Sequence, residues 1–537
     1  MEQPEANLPP PPARPTTQRG RALRIGASGV SLWAASLLAS ILLGTRTPFE
    51  LFVDRVTQFM PGPLAAYFID NFQYWAKPLL LIGLSIAWVL FGAVVAWLFG
   101  SREQPASEEP TPATVVDLAN GAAAIAVVWL VGSALLPAVT FAGALGLRLD
   151  EGPLRYNIAL VVAAVAFAVV NHVLAGRGMP RFGPPEPYFD WPGRARQRRV
   201  FLGTAVGALA VGGAYVLSRR INPLVSNAKP AAAGRAAGSM VPEITPNDDF
   251  YVISKNLIDP LVKLDSWRLV ADGLVEKQLE LTIEDVRAMP AIERYLTLEC
   301  ISNVIGGNLM STALWKGVPL RDMLAAAGTK PEGKFVASFA ADDYSVSIPI
   351  DLATQEDVLL VYDMNGVPLP TKHGAPLRLL IPGRYGMKST KWLHHLEVMA
   401  NDRLGYWEIR GWDNAAVVKT MSRIDVPEGA SRIPPDPLTV GGVAFAGVRG
   451  IQKMEVSFDR GTTWHEATLR PAIARGTWQL WTYEWSPREV GAQRILVRAT
   501  DSAGDPQIEK FNNDTFPSGA TGYHQVSVRT VEPSEPG

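Results

Sequence analysis

Cysteine is all but missing from this chain: among 537 residues there is one, Cys300, which excludes an intrachain disulfide framework. Histidine is nearly as scarce, at six, and only His172 falls inside the long apolar runs, so two axial ligands for a membrane haem cannot both come from this chain. Neither sign of charge is in excess, with 50 basic against 51 acidic residues, and there is no global pull toward nucleic acid or an acidic partner. A phosphate-binding loop is lacking as well. Gly441-Gly-Val-Ala-Phe-Ala-Gly447 has no Lys-Ser/Thr behind it and sits among strand-forming residues.

What is present is apolar and unevenly spread. Hydrophobic residues make up 48% of the chain, and the first 220 positions hold most of the excess. Residues 1–24 are Pro-rich and then basic (Arg14, Arg19, Arg21, Arg24), too polar for a core, and read as a disordered basic tail. Five apolar runs follow within 25–220, at 25–44, 75–99, 118–147, 155–175 and 200–218. Each approaches the roughly 20 residues that a helix needs to cross the hydrocarbon layer. The 176–199 linker carries Arg177, Arg181, Arg194, Arg196, Arg198 and Arg199, which places it on the cytoplasmic side, whereas Glu50, Asp54 and Asp70 suit the 45–74 loop to the outer side. Five spans with the N-terminus inside predict a multi-pass plasma-membrane protein whose remainder is extracytoplasmic. Arg198-Arg-Val-Phe-Leu202, at the head of the last span, resembles a twin-arginine export signal, the route for cargo that crosses folded.

Beyond the spans, Asn-Pro and then Ala, Gly and Ser in 221–240 read as a linker. Residues 241–417 mix strand and helix signals without a βαβ rhythm and predict an α+β domain. Trp267–Gly273 reads as a strand entering an Asp-Gly turn, 281–289 as a short helix capped by Thr282, and Leu320–Ala327 as a helix closed by Gly328. From 418 to 531 the pattern is all-β. Met454, Val456 and Phe458 alternate, as do Trp481, Tyr483 and Trp485, and Ile495, Val497 and Ala499, which predicts a β-sandwich.

The centre of this arrangement is Thr297-Leu-Glu-Cys-Ile-Ser-Asn303. A lone cysteine is by default a small buried hydrophobe, but the β-prone run Tyr295, Leu296, Leu298 delivers this one to a polar, Gly-rich loop, where a thiolate can serve a soft metal. Two blocks follow in order: Val361-Tyr-Asp-Met-Asn-Gly-Val-Pro-Leu-Pro370, and the run from Lys372-His-Gly-Ala-Pro to Gly386-Met-Lys-Ser-Thr-Lys-Trp392. Together the three resemble the sulfite oxidase family of molybdopterin-dependent oxidoreductases. Val456-Ser-Phe-Asp-Arg-Gly-Thr-Thr-Trp464 resembles that family's immunoglobulin-like dimerisation domain, and the likeness runs over about residues 240–530.

The resemblance implies a molybdenum–molybdopterin cofactor, with Cys300 as the protein's sulfur ligand and Tyr362 as an active-site phenol. Asn256 and Asp342 stand where cofactor contacts are expected, and Lys255 where an arginine is common. His373, Arg378, Gly386, Met387, Lys388, Ser389 and Lys391 lie in the cofactor-binding run, with the N–H groups of 386–389 a candidate cradle for its phosphate. Adjacent His394 and His395 point to opposite faces of a strand and make no metal pair.

Two departures bear on substrate. After the cysteine, Asn303-Val-Ile-Gly306 has no arginine, and none appears in Phe511-Asn-Asn-Asp-Thr-Phe516. Each charge-assisted bond to an anion is worth roughly 1.5–3 kcal/mol, so a weakly charged oxygen-atom donor such as a sulfoxide or N-oxide gains over sulfite. The expected activity is oxygen-atom transfer on the extracytoplasmic side of the membrane, with electrons exchanged through a separate cytochrome or quinone-linked subunit. Alternatives are a sulfite dehydrogenase feeding a cytochrome and a catalytically silent assembly protein. A homodimer through the C-terminal domain is a further expectation.

Overall fold

The computed structural model describes residues 18–43, 45, 47–50, 52, 60–72, 76–99, 115–135, 153–174, 214 and 239–531, apart from 257–258, 261, 435 and 488–489. It forms two compact units, one of Met1–Phe59 and Lys77–Leu224, the other of Met60–Ala76 and Val225–Gly537.

The first unit holds helices α1 (Gln18–Leu43), α3 (Ala76–Phe99), α4 (Val115–Leu130, continued by a π turn, Val131–Leu135) and α5 (Pro153–Leu174), whereas α2 (Gly62–Phe72) belongs to the second. Ile25–Leu43, Pro78–Phe99 and Pro153–Asn171 are long and apolar enough to cross a membrane, matching the first, second and fourth expected runs. Of the third expected run, 118–147, the described residues hold the apolar helix Ala119–Ser133, and 136–147 lie outside the described residues. The fifth, 200–218, lies outside the described residues except for Ala214. Small and polar residues let these helices meet. A Cβ on Gly29 would stand 2.2 Å from the Val89 carbonyl oxygen, and the Trp88 indole N–H donates to Ser36 Oγ at 3.2 Å.

In the second unit, one sheet runs in the order β2 (Leu279–Leu281), β1 (Leu269–Gly273), β10 (Leu393–Met399), β5 (Phe335–Ala340), β6 (Ser345–Pro349), with β1 and β10 parallel. The other runs β3 (Ile292–Glu299), β4 (Met310–Pro319), β7 (Leu359–Met364), β8 (Val367–Pro368), with β9 (Arg378–Leu380) on β7. Thr282 caps the helix Ile283–Ala288 as expected: its hydroxyl accepts from the Asp285 N–H, and the Asp285 carboxylate accepts from the Thr282 N–H. The helix Leu320–Ala327 ends on Gly328 at φ 71°, a left-handed turn that glycine makes without strain.

The second sheet is buried on both faces. Leu360 and Tyr362 of β7 join the core shared with the first sheet, while Leu359 and Val361 face a second cluster with Phe250, Tyr251 and Trp315, against which Cys300 packs. The C-terminal part is β-rich. Strands β11 (Met421–Val426), β13 (Leu438–Phe445), β17 (Gln479–Trp485) and β16 (Thr468–Leu469) form one sheet, and β12 (Arg432–Ile433), β19 (His524–Thr530), β18 (Gly491–Asp501), β14 (Ile451–Ser457) and β15 (His465–Glu466) the other. The alternating residues read from the sequence (Met454, Val456, Trp481, Trp485, Ile495, Val497 and Ala499) are buried in one core between the two sheets.

Candidate active site

Strand β3 ends at Glu299, so the next residue, Cys300, emerges where the ladder stops and a turn begins. That turn is held at several points. The Cys300 N–H donates to the Leu309 carbonyl at 2.9 Å, Asn303 Oδ1 accepts from the Leu309 N–H at 3.0 Å, and Asn303 Nδ2 donates to Glu299 at 2.9 Å. The C-terminal β-rich part closes it from outside: Arg423 donates to the Gly307 carbonyl at 2.7 Å, and Asn513 Oδ1 accepts from the Ile305 N–H at 2.8 Å. Gly306, at φ 73°, lies against the His524 ring, where a Cβ would stand 2.3 Å from Nε2. A thiol on such a loop is aimed before anything binds it.

Cys300 opens into a cavity of about 890 Å³, solvent at its mouth included. Of the residues expected from sequence, Lys255, Asp342, His373, Arg378, Gly386, Met387, Ser389 and Lys391 line the same cavity. They come from four separate segments that only the folded chain unites. Asn256 stands just behind the wall, its amide donating to Asp342 at 2.8 Å, while Lys255 Nζ reaches the Asp342 carbonyl at 2.5 Å.

Arg378 and Lys391 define the charge of the cavity. Arg378 is buried, its guanidinium donates to the His373 carbonyl at 3.2 Å, and its Nε has no partner among the described residues. Burial holds its pKa down at about 10 and that of Lys391 at about 8. Among the described residues neither forms an ion pair, and for buried Arg378 that is a costly arrangement which an arriving anion would relieve. A pterin carrying a phosphate is such an anion, and the planar fork of Arg378 with a free N–H suits it. His373 lies under this wall. Its Nε2–H donates to the Asn247 carbonyl at 2.9 Å, and burial lowers its pKa to about 3, so the ring is neutral. Gly386 is required for space, since a Cβ there would sit 2.7 Å from the Tyr251 hydroxyl.

Three expectations meet a different geometry. Tyr362 does not reach the cavity. Side chains alternate along β7, so Val361 faces the cysteine side while Tyr362 enters the opposite core, with the Arg287 guanidinium 4.4 Å from its ring centroid. Lys388 is turned away into a buried ion pair with Glu408 at 2.5 Å. In the 386–389 cradle, the N–H groups of Lys388 and Ser389 are already bound to the carbonyls of Tyr385 and Gly386.

Besides Phe250 and the motif residue Trp392, the aromatic groups that line the cavity are Tyr251, Tyr344, Trp407 and Trp412. Burial, and after it the nearby Cys300, pushes the Tyr251 phenol well above its ordinary pKa. Burial does the same to Tyr344, which donates to the Met387 carbonyl at 2.5 Å. Both therefore stay protonated. None of the four lies in a motif or a periodic element, which is why the sequence does not single them out.

Comparison with known proteins gives the family. Residues 256–407 match the oxidoreductase molybdopterin binding domain, and 412–531 the Mo-co oxidoreductase dimerisation domain. The chain is 32% identical to sulfite oxidase of Gallus gallus over 313 residues, 49% of this chain and 68% of that protein. It is 30% identical to the mitochondrial sulfite oxidase of Drosophila melanogaster over 342 residues, covering 53% of this chain and 59% of that one. With sulfite oxidase of Arabidopsis thaliana it shares 27% identity over 53% of this chain and 88% of that one. The sulfane dehydrogenase SoxCD structure from Paracoccus pantotrophus aligns at 23% identity with a TM-score of 0.48, over 55% of this chain and 85% of that one. The chain belongs to the sulfite oxidase family, as a molybdenum–molybdopterin-dependent oxidoreductase with a C-terminal dimerisation-type domain.

Proposed function

We propose that this protein is a membrane-anchored oxygen-atom transferase with its chemistry on the extracytoplasmic side. The observation that carries the reading is Cys300 at the end of β3, facing a cavity that also holds buried Arg378 and half-buried Lys391, neither in an ion pair among the described residues. The Cys300 thiolate is the protein's ligand to molybdenum. Arg378 and Lys391 take the phosphate of the pterin, with Asp342, His373, Gly386, Met387 and Ser389 shaping its bed and Asn256 bracing Asp342. When bound, the cofactor supplies a metal that changes oxidation state while an oxygen atom is exchanged with substrate. The chain aims the sulfur through the Glu299–Asn303 turn and walls out water with Trp407 and Trp412. The protonated phenols of Tyr251 and Tyr344 add no charge of their own beside Cys300. Tyr362 supports the site from the core and Lys388 through Glu408.

Substrate follows from the charge lining the cavity. Lys255 is 3.6 Å from the Asp342 carboxylate and so largely neutralised, and Asn303-Val-Ile-Gly306 adds no cation. This favours a sulfoxide or N-oxide. Sulfite oxidation is the second reading, favoured by the activity for which the relatives are named, of whose length this chain spans between about three fifths and nine tenths. Steady-state assays with sulfite against methionine sulfoxide and small N-oxides separate the two, and about one molybdenum per chain is expected by metal analysis. A sulfite turnover far above that with the neutral oxides would reverse the order.

Anchoring is supported by the three long apolar helices. Sidedness is supported by α2, which packs with the cofactor domain in one unit. An even number of crossings must then separate residue 72 from residue 239, and the expected spans at 75–99, 118–147, 155–175 and 200–218 make four. The twin-arginine-like Arg198-Arg199 and an immunoglobulin-like topology for 418–531 complete the reading. Homodimerisation through that domain and electron exchange with a cytochrome or quinone-linked subunit belong to it also.

A further inference from the structure

Helix α2 has two faces that ask for different surroundings. On one, Gly62, Ala65 and Ala66 are buried, and Ala66 joins the cluster of Ile301, Met387, Trp412 and Phe516. The fit at Gly62 admits no side chain, because a Cβ would stand 2.2 Å from the Arg410 carbonyl oxygen and 2.7 Å from the Phe516 ring. Ile301, Met387 and Trp412 also line the cavity, so α2 backs the cavity wall from outside.

The other face is apolar and uncovered. Leu64, Tyr67 and Phe72 are 45%, 56% and 37% exposed, and the rings of Tyr67, Phe68 and Phe72 lie within 6.4 Å of one another, centroid to centroid. Asp70 is the single charged residue in the helix. The loop that α2 backs exposes Leu404 at 50% and Ile409 at 69%. A water-facing helix would carry charges along such a face. Chain length alone then limits where the helix can be. Three residues separate Phe72 from α3, whose Pro78–Phe99 stretch is apolar enough to cross a membrane. Four Cα steps span at most about 14 Å, so Phe72 stays within about the depth of a headgroup layer of the head of that helix.

We propose that α2 lies in the headgroup layer of the bilayer, with Leu64, Tyr67 and Phe72 in lipid and the Gly62–Ala66 face clamping the wall of the cofactor cavity. Aromatic side chains without flanking charge are what that layer accommodates best. The catalytic domain is thereby held on the membrane surface at α2, rather than swinging on the 221–240 linker. This rests on the membrane-anchored reading above.

The test is spin-label accessibility in the full-length holoprotein in liposomes, with labels at Tyr67→Cys or, as a reference on the β-rich part, at exposed Glu466→Cys. The unsubstituted protein reports any background from Cys300. The ratio of oxygen to water-soluble nickel-chelate accessibility is expected to be about threefold or more higher at 67 than at 466, with Leu64→Cys behaving like 67. Equal ratios, in protein that resists alkaline carbonate extraction, would overturn the proposal and leave anchoring intact. Release by carbonate would instead remove the anchored reading. Dipolar broadening between labels at 67 would show a second copy covering the face and would also overturn the lipid contact.

Discussion

Lys388 places its ammonium 2.5 Å from a carboxylate oxygen of Glu408, with side chains 3% and 0% exposed. The same ammonium donates to Asn414 Oδ1 at 3.0 Å and to the Ser347 carbonyl at 3.2 Å. It thereby ties the Gly386–Lys388 turn on the cavity floor to the 404–412 loop in its wall. Removing one member of such a pair leaves an uncompensated buried charge. Lys388→Met is expected to lower stability by about 3–5 kcal/mol, and Lys388→Met with Glu408→Leu to recover most of it. Thermal unfolding in detergent of both single variants and the double variant measures the coupling, and additive losses would mean the pair is not a clamp.

Replacing Cys300 by serine is expected to leave the fold and to abolish turnover with loss of bound molybdenum, because a hydroxyl is a far poorer ligand for a soft centre. Metal analysis and activity on the same preparation check it. Retention of both would sink the assignment of the ligand.

Arg378→Met should move two quantities in opposite directions. Without cofactor, removal of a buried, unpaired guanidinium is expected to be neutral or stabilising by about 1–2 kcal/mol. With cofactor, retention should fall about tenfold or more as a charge-assisted bond to the phosphate is lost. Lys391→Met should behave alike. Comparing melting of the cofactor-free protein with pterin content after gel filtration separates an anion-binding role from a packing one.

His524 gives the protein an acid-side dependence. Its Nδ1 accepts from the Ile424 N–H at 2.9 Å, and burial, with a smaller push from Arg423 against the pull of Asp425, lowers its pKa from 6.5 to about 4. The unfolded chain therefore binds the proton first as pH falls. The contribution is full above about 6.5 and is lost between there and about 4, amounting to ~3 kcal/mol. His373, lowered to about 3, adds a loss over an overlapping range. His524→Asn keeps an acceptor but cannot titrate, so melting temperature between pH 7 and 4 should fall less steeply than in the unsubstituted protein.

Much of the architecture could be read from local patterning. The capping box at Thr282, the stop at Gly328 and the alternation along β14, β17 and β18 are short-range devices, each set by a few neighbouring residues, and all recur in the fold. Placement of Cys300 at a strand end was legible for the same reason. Tyr362 was not. A motif gives its position along β7 but not which face of that strand turns to the cofactor cavity, and a sheet buried on both sides offers no polar face to decide it. Tyr251, Tyr344 and the 404–412 loop that carries Trp407 and Trp412 are three separate stretches of chain, where no period links residue to site.

The order of residues alone determined which groups exist and how each local element begins and ends, since propensity, capping and alternation act over a few residues. It determined one thiol, a split between apolar helices and a mixed then β-rich remainder, and cations clustered late in the cofactor domain. Tertiary structure decided which cations are available. Arg378 and Lys391 are left without a carboxylate among the described residues, while Lys388 is consumed by Glu408, twenty residues on. Burial and pairing depend on what the rest of the chain brings alongside, and no local pattern carries that.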